Sequence, residues 1–336
     1  MSALEIEDLV VDYERRGGGG RVRAVAGASL TLGAGEIVGL VGESGCGKST
    51  LARAAVGLVR PAAGSVVFAG REVTPLGRRG RDRELARLHL VFQNPYSSLN
   101  PRRKIGAQLA DALSTLGIVP ASQRPARVRE LCELVGLPAS AVERFPHEFS
   151  GGQRQRIAVA RTLAAEPSVL VLDEPLASLD ASAQAQLANL LVSLSHDLGL
   201  GLLLISHDLA IVRHVAARVY VMYLGRMVET GPTQELWEQP LHPYTESLIE
   251  AIPRPDGDGF LPVALPGEVP DPAQPPPGCR FHPRCPYAFD RCAEEEPELV
   301  ALAGNRAAAC WLQPAGSDPA PPAERAARLV AEGRVA

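Results

Sequence analysis

The chain has 336 residues and sets 34 lysines and arginines against 38 aspartates and glutamates, a formal charge of −4. That balance argues against a general nucleic-acid binder, which carries a basic excess, and a composition 46% apolar and 21% charged excludes wholesale disorder. The length suits two or three domains, or one large domain with an extension. The longest apolar run, around Leu198 to Ile205, falls far short of a membrane span. The opening Met-Ser-Ala-Leu-Glu-Ile-Glu-Asp lacks the basic and apolar regions of a signal peptide, so a cytosolic chain is expected.

In chain order, residues 3–13 alternate apolar and acidic side chains, end Leu9-Val10-Val11-Asp12-Tyr13, and read as an edge strand. Gly17 to Gly20 read as a flexible loop tip flanked by Arg15, Arg16, Arg21 and Arg23. Ile37–Val41 is a continuous apolar run, and Leu88–Phe92, Val169–Leu172 and Leu202–Ile205 follow it, with helical stretches between. Buried strands alternating with helices predict a mainly parallel α/β core. Residues 71–87 carry six arginines but also Glu72, Asp82 and Glu84, so a solvated mixed-charge surface is favoured over an anionic-lipid or nucleic-acid patch. Residues 98–165 read as mostly helical and able to form a subdomain, bracketed by Asn100-Pro101 and Phe145-Pro146-His147; Cys132 there reads as core.

Composition changes at Ile252. Residues 253–278 hold nine prolines and read as an extended linker. Of six cysteines, Cys279, Cys285, Cys292 and Cys310 cluster beyond it and mark the C-terminal region as a separate unit. In a cytosolic chain such cysteines are more often metal ligands or redox groups than disulfide partners. An Ala/Pro/Gly-rich tail from Pro314 reads as partly disordered at its end.

Directly after the first buried strand, Gly42-Glu43-Ser44-Gly45-Cys46-Gly47-Lys48-Ser49-Thr50 fits G-x-x-x-x-G-K-[ST], and a helix with Leu51, Ala54, Ala55 and Leu58 on one face follows. Glycines let successive backbone N–H groups turn inward around a β-phosphate, and a helix N-terminus adds positive potential. Lys48 would bridge β- and γ-phosphate oxygens and Ser49 would ligate Mg²⁺; at Cys46 the backbone matters and the thiol need not. Val169-Leu170-Val171-Leu172-Asp173-Glu174 supplies a matching Walker B strand. Asp173 would hold Mg²⁺ through water, and Glu174 would polarise the attacking water.

Phe149-Ser150-Gly151-Gly152-Gln153, followed by helix-forming Arg154 to Arg161, resembles the signature motif of ABC ATPases and stands at the expected place upstream of Walker B. A Ser-Gly-Gly turn opening a helix offers bare N–H groups and a helix dipole to a γ-phosphate. The resemblance implies a RecA-like core, an antiparallel β subdomain and a helical subdomain, working as a dimer with two ATPs sandwiched between protomers. It assigns Ser150, Gly151, Gly152, Gln153 and Asp180 to the ATP bound by the other protomer. Gln93 matches the Q-loop glutamine, which contacts Mg²⁺ and attacking water, and Ser178-Leu179-Asp180 matches the D-loop. His207 matches the switch histidine at the γ-phosphate. Tyr13 matches the aromatic that stacks on adenine, or is a plain edge-strand tyrosine. Phe149 stands where leucine is commonest, and Leu176-Ala177-Ser178 where Thr-Ser-Ala is usual; neither is a catalytic group.

Longer stretches resemble the oligopeptide, dipeptide and nickel importer subfamily: Phe92 to Pro101, Pro146 to Arg156, Val221 to Arg226, Leu241 to Thr245, and Pro-Pro-Gly-Cys279-Arg-Phe-His-Pro-Arg-Cys285-Pro. The resemblance divides the chain into a nucleotide-binding domain (1–252, helical subdomain about 98–165), the linker (253–278), a Cys-rich extension (279–313) and a tail (314–336). It implies a peripheral subunit on the cytoplasmic face of the cell membrane. There it would hydrolyse ATP for uptake of peptides, nickel or another small solute, with two permeases, a second ATPase subunit and an extracytoplasmic binding protein as partners, and no nucleic acid. A non-transport ABC ATPase is the competing reading. Against it, the chain carries one cassette, and only about 100 residues separate Lys48 from Ser150, without the sustained heptads of a coiled coil. The spacing C-x5-C-x6-C-x17-C fits neither a zinc ribbon nor a ferredoxin run. The subfamily implies a [4Fe–4S] cluster on Cys279, Cys285, Cys292 and Cys310, with zinc or free thiols as the alternatives.

Overall fold

The computed structural model describes residues 2–15, 20–77, 82–93, 99–117, 119–252 and 267–331. Expectations for Arg16 to Gly19, for Arg78, Arg79 and Arg81, for Asn94 to Ser98 and for most of the proline-rich linker (253–266) lie outside the described residues.

Two sheets stack around one strand pattern. The smaller is antiparallel, in the order β2 (Arg21–Gly33), β1 (Ser2–Glu14), β4 (Ala63–Phe68), β5 (Arg71–Glu72). The larger has eight strands. Its parallel part runs β9 (Arg218–Tyr223), β3 (Ile37–Val41), β8 (Gly201–Ser206), β7 (Val169–Asp173), β6 (Leu88–Val91). The antiparallel strands β10 (Arg226–Pro232), β12 (Arg306–Ala308) and β11 (Val300–Leu302) extend it beyond β9.

Alternate residues of the parallel strands feed two separate apolar layers, which explains their unbroken apolar sequences. Val169, Val171, Leu203 and Ile205 pack with Leu4, Ile6, Leu30 and Leu32 of the small sheet and with Leu51 of α1 (Lys48–Ala55). Leu170, Leu172, Leu202 and Leu204 pack on the helical side. That side comprises α2 (Ile105–Leu116), α3 (Arg124–Leu134), α4 (Gly151–Leu163), α5 (Ala181–Leu198), α6 (Leu209–Val215), α7 (Thr233–Glu238) and α8 (Pro243–Glu250). Cys132 is fully buried in this layer, as expected of a core residue.

One element differs from expectation. β1 is not an edge strand: it pairs with β2 on one side and β4 on the other. Its apolar–acidic alternation comes from a sheet with one face on the core and one toward solvent, and that pattern is the same for central and edge strands. The C-terminal tail carries a helix, α10 (Pro322–Ala331), and the expectation for its end falls on residues 332–336, outside the described residues.

The cysteine-bearing segment, with its short helix α9 (Asp290–Glu294), packs directly onto the core. Strand β12 pairs with β10, matching Glu229 to Ala308. Beneath this pairing, fully buried Glu229 accepts from the backbone N–H groups of Leu241 and His242, both at 2.9 Å, and lies 3.2 Å from the buried Arg306 guanidinium. Burial raises the Glu229 carboxyl pKa, and the Thr245 hydroxyl, these backbone donors and Arg306 offset only part of that rise.

Candidate functional site

The strand order β6-β7-β8-β3 places the carboxyl ends of four parallel strands side by side, the edge where open α/β sheets bind ligands. The loop after β3 carries the G-x-x-x-x-G-K-[ST] residues expected to cradle phosphate. Gly42 has φ 150°, and a Cβ there would lie 2.1 Å from the Met222 carbonyl; Gly47 has φ 110°, and a Cβ there would lie 2.2 Å from the Ala24 carbonyl. The loop is thus pressed between β9 and β2, and only glycine fits at both positions. Gly47 precedes α1 without a side-chain cap, leaving first-turn N–H groups for an anion.

Lys48 is only 5% exposed, and its Nζ donates to the carbonyls of Gly42 (2.7 Å) and Glu43 (2.9 Å), which holds the ammonium inside the curve of the loop. Ser44 and Gly45 stand exposed at its mouth, while Ser49 and Thr50 are half-buried. Cys46 is buried, its carbonyl accepting from Gly225 N–H at 2.8 Å, and burial raises its thiol pKa.

Asp173, the last residue of β7, is 3% exposed and accepts from the Ser49 hydroxyl at 2.7 Å. Two of the three expected Mg²⁺ ligands are therefore brought together from 124 residues apart, and among the described residues no contact joins Gln93 to them. Glu174 follows with φ 51°, a left-handed backbone that costs a non-glycine residue about 1–2 kcal/mol. Its N–H donates to the Ile205 carbonyl at 3.0 Å, and its Oε2 lies 2.7 Å from His207 Nδ1. The strained turn directs the carboxylate toward the histidine at the end of the neighbouring strand. Gln93 is exposed two residues beyond β6, and Tyr13 is 38% exposed in β1 opposite Val22.

The signature residues stand elsewhere. Ser150 caps α4: its Oγ accepts from Gln153 N–H at 3.3 Å, and Gln153 Oε1 accepts from Ser150 N–H at 3.0 Å. Ser150 and Gly151 are exposed, and a Cβ on Gly152 would lie 3.0 Å from the Ala183 side chain of α5. Phe149 is buried beneath this turn with the Arg144 guanidinium 4.3 Å from its ring centroid, so the larger side chain at this position anchors the turn in the helical layer. Asp180 is the N-cap of α5, its Oδ1 accepting from Ala183 N–H at 2.9 Å, a local role the D-loop match does not reveal.

Sequence reading missed the side chain of Glu43. Arg284, buried in the Cys-rich segment, grips it with both Nη atoms (2.7 and 3.0 Å) and donates to the Tyr223 hydroxyl at 3.3 Å. The Tyr244 hydroxyl accepts from Glu43 N–H at 2.7 Å. Residues 241 positions apart leave no periodic signal, although Arg284 lies within a stretch already matched to the importer subfamily.

Cys279, Cys285, Cys292 and Cys310 line one small, largely apolar cavity with Phe281, Tyr287 and Leu312. Burial pushes the Cys279 and Cys285 thiols up to about 11 and about 12, and the neighbouring Cys292 adds to both shifts. Among the described residues, no three His, Cys, Asp or Glu side chains are arranged to hold a single metal ion.

A glycine loop leading from a central parallel strand into a helix, beside a strand ending in Asp-Glu, defines a P-loop nucleotide-binding protein. The family described as "ABC transporter" matches residues 25–177, and "Oligopeptide/dipeptide transporter, C-terminal region" matches residues 228–292. The chain is 49% identical over 315 residues to the di/tripeptide transport ATP-binding protein DppF of Pseudomonas aeruginosa, covering 92% of this chain and 97% of that protein. It is 45% identical to a probable peptide ABC transporter ATP-binding protein of Sinorhizobium fredii, covering 92% and 90%. Among solved structures, cbiO1 of Clostridium perfringens, part of the ABC transporter complex cbiONQ, superposes with a TM-score of 0.61 at 27% identity, covering 70% of this chain and 91% of that one. A dimeric ATP-binding cassette in a post-hydrolysis state with ADP and Pi superposes at 0.60 and 25% identity, covering 68% and 98%. The chain belongs to the ABC transporter family of ATP-binding proteins, in the branch with the oligopeptide/dipeptide C-terminal region.

Lys48→Ala removes the one ammonium inside the loop and is expected to weaken ATP binding about 10–100-fold, as befits a lost charge-assisted contact to phosphate. Equilibrium binding of a fluorescent ATP analogue checks this, and unchanged affinity would count against the cradle.

Proposed function

We propose that this chain is the ATP-hydrolysing subunit that drives import of short peptides through a membrane permease. The observation that carries this reading is the pair of contacts at one sheet edge, Ser49 to Asp173 and Glu174 to His207. They support a site in which Ser49 and Asp173, the proposed Mg²⁺ ligands, stand beside a carboxylate–histidine pair, with a buried lysine in the glycine loop. The relatives named as di/tripeptide and peptide transport proteins supply the cargo class; nickel or another small solute is the alternative.

In the proposed cycle, the loop N–H groups and Lys48 hold the β- and γ-phosphates, and Tyr13 stacks on the adenine. Ser49, Asp173 and Gln93 would hold Mg²⁺, which neutralises phosphate charge. The exposed Ser150 turn and Asp180 of a second ATPase subunit close over the γ-phosphate from the other side. Glu174 accepts a proton from the attacking water while His207 fixes the carboxylate and touches the γ-phosphate. The water oxygen bonds to the γ-phosphorus as its bond to the bridging oxygen breaks, giving ADP and phosphate, and departure of the phosphate removes the charge that held the dimer closed. Opening and closing move two permeases through the surface around Gln93, and an extracytoplasmic binding protein delivers the peptide. No described helix is long and apolar enough to cross a membrane, and the chain would work peripherally at the cytoplasmic face.

We further propose that Cys279, Cys285, Cys292 and Cys310 hold a [4Fe–4S] cluster. Four cysteine thiols lining one small cavity are the donor set that such a cluster would take, with zinc or free thiols as the alternatives. When bound, the cluster supplies four iron–thiolate bonds that cross-link the extension.

Glu174→Gln should leave ATP binding intact while slowing hydrolysis about 10²–10⁴-fold, or roughly 3–5 kcal/mol of barrier. Phosphate release measured on the purified dimer tests this, and near-normal turnover would remove Glu174 from its role. Anaerobically purified protein should carry about four irons and four acid-labile sulfides per chain, as four thiolate ligands imply. Elemental analysis finding one zinc, or no metal, would refute the cluster.

A further inference from the structure

The contact between Arg284 and Glu43 joins the Cys-rich segment to the second residue of the phosphate loop. Both ends are fixed. On the loop side, Glu43 N–H donates to Tyr244 Oη at 2.7 Å, and its carbonyl accepts from Lys48 Nζ at 2.9 Å. On the extension side, Arg284 N–H donates to the Phe281 carbonyl at 2.9 Å. Phe281 is buried edge-on against Tyr223 (ring centroids 5.3 Å apart) and packs on Tyr244 at 5.4 Å. The guanidinium lies 5.7 Å from the centroids of both Tyr223 and Phe281.

A phosphate loop with three glycines has many conformations to lose, and only those with the N–H groups turned inward bind phosphate. If a loop is ready for only a fraction of the time, its apparent dissociation constant rises by the inverse of that fraction. A bidentate guanidinium–carboxylate pair that is almost dry on the arginine side has the directionality to hold one loop geometry.

We propose that Arg284 is a positioning residue of the nucleotide site, which holds the phosphate loop ready for ATP through Glu43 and so makes the Cys-rich extension part of the ATPase. This rests on the ATP reading above. Arg284 touches no phosphate; it acts through Glu43 and, behind it, Lys48.

The test uses the full chain and a fluorescent ATP analogue, with melting temperature and steady-state ATPase recorded in parallel. Arg284→Met and Glu43→Gln should each raise the dissociation constant and KM for ATP about tenfold, with kcat changed less than about threefold at saturating ATP, because the catalytic pair of Glu174 and His207 is untouched. Because the two side chains act as one contact, the double variant should also lose about tenfold rather than a hundredfold. Arg284→Lys, which keeps the charge but not the fork, should fall between wild type and Arg284→Met. A drop in melting temperature with ATP affinity within twofold of wild type would overturn the proposal, as would independent, multiplying losses in the double variant. Should Arg284→Met fail to fold, Glu43→Gln and Arg284→Lys carry the same test. Wild type that binds no ATP would instead sink the nucleotide reading itself, a result visible before any variant is compared.

Discussion

The molecule depends on the exit of β3 from the middle of the sheet. This strand is buried on both faces and bonded on both edges, to β8 and β9. The chain that leaves it must turn at once between the Met222 and Ala24 carbonyls, where no Cβ fits. Glycine freedom is thereby converted into a single compact loop with Lys48 inside it. The neighbouring parallel strands then fix what surrounds the loop, because their register sets Asp173 beside Ile205 and Val41 beside Ser206. Asp173 therefore meets Ser49 of the loop, and Glu174 meets His207, by strand adjacency rather than by any flexible segment.

The extension meets this core through two ion pairs as well as through apolar packing. Glu229 and Arg306 are both buried beneath the β10–β12 pairing, and Arg284 with Glu43 forms a second, nearly dry pair 77 and 241 residues apart in sequence, respectively. Buried pairs of this kind add little net stability compared with apolar side chains of equal volume, but removing one partner leaves an uncompensated buried charge. The aromatic group of Tyr223, Tyr244 and Phe281 fills the space between the extension and the loop.

The parallel core and the family's glycine-loop motif are legible in the sequence because both are local. Apolar runs such as Val169–Leu172 report two-sided burial, and the glycine loop and Asp173-Glu174 are contiguous motifs whose chemistry follows from residue order. What escaped was whatever depends on a distant partner. The position of β1 inside its sheet is set by pairing with β4, about 60 residues on, and leaves no trace in its own alternation. Asp180 reads as a D-loop residue and also caps α5, since capping and nucleotide contact draw on the same short acidic side chain. The pairing of Glu43 with Arg284 was invisible for the same reason: a glutamate at a variable position of the phosphate motif says nothing of its partner. The convergence of the four cysteines on one cavity was anticipated only through family resemblance, because their spacing matches no common metal motif.

The most direct test of the account is native purification of this chain from membranes, with mass spectrometry of everything that remains bound. The account predicts two integral membrane permeases and a second ATPase subunit, with an extracytoplasmic binding protein and peptide recovered when the complex is captured in its presence. Recovery with ribosomes or nucleic acid and no membrane protein would contradict it, leaving an ATPase site on the carboxyl edge of the sheet without a transporter to drive.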